Sequence, residues 1–295
     1  GLPRVGESWE LSGMPGSESV VAEGPWAGST LSELIGRFGA ELLGKANYAR
    51  FGQEFPLLVK FIDAREDLSI QVHPDDELAR KRHGKSGKCE MWYVLEAEPG
   101  ASLLTGFSRP IAPAEYERRV ADNTLTDVLN RQAIASGDVF YLPAGRVHSI
   151  GKGSFIVEIQ QSSDITYRIY DFDRRDAAGN SRELHTELAR EAIDFESSEN
   201  SRITYAPENN QEVRLVTTPY FTTSLYTLTA RTRCDWSATD SFVAIVLLQG
   251  SGSLTDNEGN RIDVRQGETW LLPASTQWTE ITPHTAPLRL LTSRI

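Results

Sequence analysis

The feature that most restricts the fold is a short pattern that occurs twice. GDVFYLPA, at 137–144, returns as GETWLLPA at 267–274. An apolar run that ends in glycine precedes each copy, EMWYVLEAEPG in the first case and FVAIVLLQG in the second. Short apolar runs separated by Gly, Pro, Asp and Asn are typical of strands joined by turns. The repeat therefore predicts a mainly β protein built from two β-barrels of the jelly-roll type.

A few accessory helices interrupt the strand pattern. The spacing of apolar residues predicts a helix over 30–48, where Thr30 and Glu33 have the spacing of a capping box. We further predict a short helix at 75–83, one or two helices at 113–129, and one at 183–192. The predicted domains are a first barrel with helical additions at 1–175, a linker with a helix at 176–212, and a second barrel at 213–295.

Composition excludes several classes of protein. The net charge of −11 over 295 residues argues against a general nucleic-acid or anionic-membrane surface. No apolar run in the sequence approaches the ~20 residues that span a bilayer. Cys89 and Cys234 are the only cysteines, too few for a disulfide framework, so a cytoplasmic location is predicted. Since the chain begins with Gly1 rather than Met, we expect native N-terminal residues to be missing.

Four side chains form a candidate metal site in the first barrel. Gln71 and His73 lie two residues apart on a predicted strand, so both point to the same face. Glu90 begins another apolar strand, and His148 follows the turn at 143–145. Two imidazoles, a carboxylate and an amide oxygen suit a borderline divalent ion, with zinc the first choice. The alternative is that each histidine is simply packed and that Glu90 protects an edge strand.

The second copy of the repeat lacks one of these candidates. His148 comes five residues after Pro143, whereas Trp278 occupies the same place after Pro273. We therefore expect a single metal ion, bound in the first barrel only. The other histidines are expected to be ordinary packed or hydrogen-bonded side chains: His83, His185 and His284.

Several strings of the sequence carry a family resemblance. QVHPDDE, KCEMWYVLEAEPGASLLTGF, GDVFYLPAGRVHSIGKG and SSDITYRIYDFDR together resemble the type I phosphomannose isomerases of the cupin superfamily, and RELHTELA is similar to the short bacterial form. The resemblance runs from Gly6 through the predicted linker, and more loosely through the second barrel. Two departures are the absence of the long members' helical insertion between Glu90 and His148, and of the family's Trp-Gly-Gly segment before GESWE.

This resemblance implies an isomerase with one zinc ion, held by Gln71, His73, Glu90 and His148. The implied reaction interconverts mannose 6-phosphate and fructose 6-phosphate through a cis-enediol or enediolate. The implied fold is a pair of cupin barrels with a few accessory helices. The implied partner is a small-molecule sugar phosphate, with neither nucleic acid nor membrane, and we expect a monomer or a homodimer.

Three further residues match positions of the family's active site: Lys88, Asp164 and Arg168. Arg168 is the residue usually labelled catalytic, and it can donate paired hydrogen bonds to a developing oxyanion or to the phosphate. Lys88 supplies a second cation for catalysis and substrate binding. The alternative for Arg168 is a structural ion pair with Asp171 or Asp173.

The base that moves the proton has more than one candidate. Asp164 can act as the base, or it can instead orient Arg168. A metal-bound water is another candidate. Lys152 and Arg146 flank His148 and are weaker candidates for binding the phosphate, because basic residues at turns are most often only solvated.

Two other functions remain open from the sequence. The first is a cupin oxygenase or other Fe(II) enzyme, although Gln71 replaces the first histidine of the usual His-x-His pair. The second is a sugar-binding or regulatory cupin without catalysis, against which Lys88 and Arg168 argue.

Overall fold

The computed structural model describes residues 6–175, 178–196 and 200–295. The chain divides into two compact units. The first comprises the residues up to Ser8 together with Val59–Ile203, and the second comprises Trp9–Leu58 together with Thr204–Ile295. No helix within the described ranges is long and apolar enough to cross a membrane.

The elements are numbered in chain order. The strands are β1 (Glu7–Ser12), β2 (Leu57–Ala64), β3 (Ile70–Val72), β4 (Glu90–Ala97), β5 (Ser102–Phe107), β6 (Leu129–Ala133), β7 (Val139–Leu142), β8 (His148–Ile150), β9 (Ser154–Gln161), β10 (Tyr167–Tyr170), β11 (Arg202–Ile203), β12 (Glu212–Thr217), β13 (Thr222–Leu228), β14 (Thr232–Asp235), β15 (Val243–Gln249), β16 (Ser251–Asp256), β17 (Arg261–Arg265), β18 (Thr269–Leu272), β19 (Trp278–Pro283) and β20 (Leu288–Arg294). The helices are α1 (Leu31–Phe38), α2 (Ala40–Leu43), α3 (Lys45–Phe51), α4 (Asp76–His83), α5 (Pro113–Ala121), a 3-10 helix (Leu125–Val128) and α6 (Thr186–Ala192).

The first unit contains two sheets with an apolar core between them. Strands β2, β9, β4, β7 and β11 follow one another in one sheet, and the order in the other is β10, β3, β8, β5, β6. Trp92 and Ile156 from the first sheet pack in one cluster with Leu103 and Ile150 from the second. Burial of these side chains from water is the main favourable contribution to the free energy of folding. The mainly β, cupin-like architecture predicted from the sequence is confirmed.

The helices α4, α5 and α6 cover the outer face of the second sheet. Ile70 and Val72 of β3 pack there in a cluster that includes Tyr116 of α5 and Ala189 of α6. Successive residues of a strand point to opposite faces, so Gln71 between them points to the interior. The outer helices thus fix which side chains of β3 face the inside of the unit.

The second unit repeats the pairing of strands seen in the first. Its sheets have the orders β12, β13, β20, β15, β18 and β14, β19, β16, β17. Leu228 and Ile245 of one sheet share a core with Leu254 and Ile281 of the other. GETWLLPA contains β18, which pairs antiparallel with β15, just as β7 within GDVFYLPA pairs antiparallel with β4. The sequence repeat therefore corresponds to a repeated strand pair.

The helix predicted over 30–48 is divided into three. Thr30 caps α1 in a capping box with Glu33, as predicted. Gly39 and Gly44 then have positive φ values of 49° and 95°, which end one helix and begin the next. A Cβ at Gly44 would lie 2.2 Å from the carbonyl oxygen of Asp240, so this close approach requires glycine.

The other predicted helices are present with small changes at their ends. Asp75 is the N-cap of α4, and its carboxylate accepts a hydrogen bond from the Leu78 amide at 2.8 Å. The stretch 113–129 forms α5 followed by the 3-10 helix. The helix expected at 183–192 begins at Thr186, because residues 183–185 instead lie along β10.

The division into units assigns residues 9–58 differently from the predicted domains. These residues belong to the second unit, where the Asn47 side chain donates hydrogen bonds to the Leu43 carbonyl and the Ser241 hydroxyl. The boundaries at 175 and 212 stay predictions for the folding domains. Residues 1–5 of the predicted first domain, and residues 176–177 and 197–199 of the predicted linker, lie outside the described part of the chain.

Candidate metal centre

A row of polar residues crosses the inner face of the second sheet. In the antiparallel register, Thr105 of β5 lies opposite His148 of β8, and His148 lies opposite Gln71 of β3. Gln71 in turn lies opposite Arg168 of β10. Directly opposed residues project from the same face of a sheet. The register therefore aligns four polar side chains inside the first unit.

Two further residues bring ligand atoms to this row. His73 directly follows β3, and Glu90 begins β4 in the facing sheet. His73 Nε2 lies 3.5 Å from Glu90 Oε2, and His148 Nε2 lies 3.1 Å from Glu90 Oε1. The Gln71 amide nitrogen is 3.3 Å from His148 Nε2. One ligand atom from each of His73, Glu90 and His148 lies within 4.8 Å of the others, and all three side chains are buried.

Backbone carbonyl groups orient both imidazole rings. His73 Nδ1 is 2.8 Å from the carbonyl oxygen of Ile165, and His148 Nδ1 is 2.7 Å from that of Arg146. A carbonyl oxygen only accepts, so each Nδ1 carries the proton and each Nε2 keeps its lone pair. Such backbone contacts are the usual support of a metal-binding histidine. Both free lone pairs are on the side of the ring that faces Glu90.

The cluster fits a divalent cation. Glu90 Oε1 is buried and makes no hydrogen bond of good geometry within the described residues. A buried oxygen without a partner carries a desolvation penalty that a bound cation would remove. Two neutral imidazoles, one carboxylate and a nearby amide are donors that zinc and similar ions accept.

The charge states of these groups follow from their burial and their neighbours. Burial, followed by the charge of Lys88, lowers the pKa of His73 to about 3. Burial also lowers the pKa of His148. Burial alone would raise the pKa of Glu90, but Lys88 and the two histidines outweigh it and lower that pKa. At neutral pH the site therefore holds two neutral imidazoles and a carboxylate, the forms that bind metal.

Lys88 and Glu158 extend the site along the interior. The Lys88 ammonium lies 2.7 Å from Glu90 Oε2, and it is 3.8 Å from Glu158 Oε1. Burial opposes the charge of Lys88, but Glu158 and Glu90 outweigh burial and raise the pKa of that lysine. Trp92 Nε1 donates to Glu158 Oε2 at 2.9 Å, while Lys60 Nζ lies 3.4 Å from Oε1. This buried network of charges continues directly from the candidate ligands.

Sequence reasoning missed Lys60, Glu158 and Gln160. Glu158 lies opposite Trp92 in the pairing of β4 with β9, and Gln160 lies opposite Glu90. For the last two, the available signal was in SFIVEIQQ, where Glu158 and Gln160 lie two residues apart, and so on one face, in a mostly apolar strand. An acidic residue on the inner face of such a strand is costly to bury unless it is paired.

Arg168 lies at the end of the polar row. Its Nη1 donates to the carbonyl oxygen of Glu183 at 3.1 Å, while its Nε is buried without a hydrogen-bond partner in the described chain. Asp171 instead pairs with Arg174 and Arg182, and within the described residues Arg168 forms the alternative ion pair with neither Asp171 nor Asp173. Burial, and then the charge of Arg182, lowers the pKa of the Arg168 guanidinium.

The other candidate residues lie in different surroundings. Asp164 is about half exposed and pairs with Lys85 at 2.8 Å, rather than with Arg168. Lys152 is exposed in the turn after β8, where its backbone N–H donates to Asp67. Arg146 is buried and donates to the Ser201 hydroxyl at 3.3 Å. The roles predicted for these residues stay predictions.

Comparison with known proteins gives consistent results. Residues 3–105 match the family model for the phosphomannose isomerase type I catalytic domain. The chain is 35% identical over 270 residues to the mannose-6-phosphate isomerase of Streptococcus mutans serotype c. The aligned region covers 91% of this chain and 83% of the relative. It is equally 35% identical over 274 residues to mannose-6-phosphate isomerase ManA of Bacillus subtilis, covering 92% of this chain and 84% of the other. A crystal structure of mannose 6-phosphate isomerase from Bacillus subtilis has a TM-score of 0.87 at 31% identity and covers 98% of this chain and 90% of that one.

Proposed function

The chain belongs to the type I phosphomannose isomerase family, and we propose that it interconverts mannose 6-phosphate and fructose 6-phosphate. The observation that carries the proposal is the buried cluster of His73, Glu90 and His148, in which both histidine Nε2 lone pairs face the carboxylate. A site of this kind with no thiolate ligand is typical of catalytic rather than structural metal centres.

The metal that we propose is a single zinc ion, with Gln71, His73, Glu90 and His148 as its ligands. When bound, the ion would supply Lewis-acid polarisation of the sugar's carbonyl or hydroxyl oxygen. Fixed imidazole tautomers and the ionised Glu90 support this assignment. Gln71 would contribute a weak ligand through its amide oxygen, which suits an ion that does not change its oxidation state.

The reaction moves a proton from C2 of the aldose to C1 of the ketose through a cis-enediol or enediolate. The costly species carries negative charge on the sugar oxygens. Arg168 is the candidate donor to that charge or to the phosphate, because its guanidinium makes no ion pair with the nearby Asp171. Lys88 is the second candidate cation for the same charge, held in place by Glu90 and Glu158.

The proton requires a carboxylate that can accept it and return it. Glu158 is buried, and its Oε1 makes no hydrogen bond within the described residues although Lys60 and Lys88 lie nearby. Asp164, the carboxylate candidate from the sequence, lies at the surface in an ion pair with Lys85. A buried carboxylate oxygen that accepts no hydrogen bond and lies next to the candidate ligands is the better placed base, so Glu158 is the base that we favour.

The phosphate must be held by local cations, because the net charge of −11 repels an anion at long range. Arg168 and Lys88 are the proposed contacts, with Lys152 as a weaker candidate. We keep a cytoplasmic, monomeric or homodimeric enzyme as the expected form, and the two buried, unpaired cysteines agree with a reducing location.

A coupled assay that converts mannose 6-phosphate to fructose 6-phosphate tests the function. We expect turnover that a chelator abolishes and that added zinc restores. Metal analysis of protein purified without added metal separates zinc from iron, and iron with no isomerase activity would favour the oxygenase. Stoichiometric zinc without turnover would instead support a sugar-binding protein and contradict the proposal.

A further inference from the structure

Strand β10 is an edge strand, and Arg168 lies in it. One side of β10 pairs with β3, so the backbone groups of Arg168 on the open side need other partners. The Arg168 N–H donates to His185 Nδ1 at 3.2 Å, and the His185 N–H donates to the Arg168 carbonyl oxygen at 2.6 Å. Together with the bond from Arg168 Nη1 to the Glu183 carbonyl, three hydrogen bonds join this arginine to residues 183–185.

The bond to Nδ1 determines the state of the His185 ring. A backbone N–H can only donate, so Nδ1 must carry a lone pair and the proton of the neutral ring must lie on Nε2. That nitrogen lies 3.9 Å from the Glu183 carboxylate. The Tyr167 ring, whose hydroxyl is 2.7 Å from His83, lies beside the imidazole with a centroid separation of 6.4 Å.

We propose that His185 is a positioning residue for Arg168, which it holds in place by accepting the Arg168 backbone N–H. The proposal rests on the isomerase function proposed above, because Arg168 acts on the sugar phosphate only there. From the sequence alone, His185 is predicted to be an ordinary histidine like His83 and His284. Its position in the motif RELHTELA places it at the start of α6, where the chain runs beside β10.

Protonation of His185 would break this arrangement. A second ring proton on Nδ1 removes the acceptor and directs an N–H at the N–H of Arg168. It also adds a positive charge beside a guanidinium that already experiences the charges of Arg174 and Arg182.

Three substitutions of His185 separate positioning from simple packing. In His185→Asn the side-chain oxygen replaces Nδ1 at nearly the same place and cannot titrate near neutral pH. In His185→Gln the amide oxygen lies one bond further out, near the position of Nε2. His185→Ala removes the acceptor altogether, and His284→Asn is the matched control at an exposed histidine of the other unit.

The measurements are kcat and KM as functions of pH, together with zinc content and the midpoint of thermal unfolding. We expect His185→Ala and His185→Gln to lose roughly tenfold in kcat with zinc retained, which corresponds to one lost hydrogen bond. His185→Asn should keep kcat within about twofold above neutral pH because it preserves that bond.

The proposal is overturned if His185→Asn is as impaired as His185→Gln. Should His185→Ala fail to fold, the comparison of Asn with Gln still decides the matter. A wild-type protein with no isomerase activity would refute the proposed function. If the wild type is active and the His185 variants have the same kcat as the wild type, only the positioning role is refuted.

Discussion

The Lys88 ammonium lies 2.7 Å from Oε2 of Glu90, and neither side chain is more than 4% exposed. The same nitrogen lies 3.1 Å from Nε2 of His73. A protein cation thus lies against two of the atoms that we propose as zinc ligands. Its charge is what keeps the buried Glu90 ionised when no metal neutralises it.

Replacing Lys88 with Met should therefore destabilise the metal-free protein, prepared with a chelator, more than the zinc-bound protein. Removal of one partner from a buried ion pair costs about 3–5 kcal/mol, because the other charge is left without compensation. Zinc restores a positive charge beside Glu90 and reduces that cost. Urea unfolding of wild type and Lys88→Met, each with a chelator and with zinc, measures the difference.

Lys85→Met is the control for this experiment. Lys85 pairs with Asp164 at 2.8 Å, close to the 2.7 Å between Lys88 and Glu90, but both side chains of the Lys85 pair are about half exposed. An exposed pair contributes about 0–1 kcal/mol, so its loss should be small and independent of zinc. Equal losses of stability for Lys88→Met with and without zinc would contradict the proposed ligand set.

Two alanine substitutions should distinguish loss of zinc binding from loss of catalysis alone. His148→Ala removes a ligand whose ring the Arg146 carbonyl orients, so we expect loss of both zinc and activity. Arg168→Ala should retain zinc and lose about 100-fold or more in kcat, as expected for removal of a donor to transition-state charge. Zinc content by mass spectrometry and the coupled assay provide the two readouts.

The outcome for Arg168→Ala also tests the alternative of a structural role. Loss of zinc together with activity would show that Arg168 supports the site rather than the sugar. Full zinc occupancy in His148→Ala would remove that histidine from the ligand set.

Acid should destabilise the metal-free protein, kept so by a chelator, through its buried histidines. In the unfolded chain His73 binds a proton near its ordinary pKa of 6.5, but burial and Lys88 lower its folded pKa to about 3. The unfolded state therefore binds more protons between these values, so the free energy of unfolding falls as pH falls through that window. The expected slope is about 1.4 kcal/mol per pH unit for each such histidine, and the lowered pKa of His148 acts in the same direction.

Urea unfolding at several pH values with a chelator present checks this dependence. His73→Gln should reduce the slope, since the amide does not titrate, whereas His284→Gln at an exposed site should leave it unchanged. A slope in His73→Gln equal to that of the wild type would show that His73 does not remain neutral in the folded protein.

Local pattern was enough to predict the strands that carry the candidate ligands. Gln71 lies in the short strand β3 and His73 directly follows it. The repeated apolar run that ends in glycine corresponds to equivalent strand pairs in both units. The helix over 30–48 was predicted as one element because periodicity is insensitive to single glycines. Its breaks at Gly39 and Gly44 depend on positive φ angles, and at Gly44 on contact with the distant Asp240.

Contacts between residues distant in sequence account for what the sequence did not reveal. Glu158 reaches Lys88 and Trp92 only because β9 pairs with β4, and nothing in the local pattern specifies that pairing. Whether Arg168 pairs with Asp171 was also open from the sequence, and Asp171 pairs instead with Arg174 and Arg182. His185 meets Arg168 across 17 residues of chain that local periodicity does not describe.

Replacement of the carboxylate by an amide at Glu158 and at Asp164 should identify the base. Glu158→Gln leaves shape and zinc ligands in place but removes the group that we propose to accept the proton, so kcat should fall about 100-fold to 10,000-fold. Asp164→Asn disrupts only an exposed pair with Lys85 and should change kcat little. Both variants are assayed for turnover, for zinc content and for exchange of the substrate's C2 hydrogen with deuterated solvent.

The exchange measurement distinguishes loss of the base from loss of substrate binding. If Glu158 moves the proton, Glu158→Gln should bind the sugar phosphate, retain zinc and show neither turnover nor exchange at C2. If instead Asp164→Asn loses exchange while Glu158→Gln keeps it, the proton must pass through Asp164. The buried Glu158 would then act only as a counter-charge for Lys60 and Lys88, whose ammonium groups lie 3.4 Å and 3.8 Å from its Oε1.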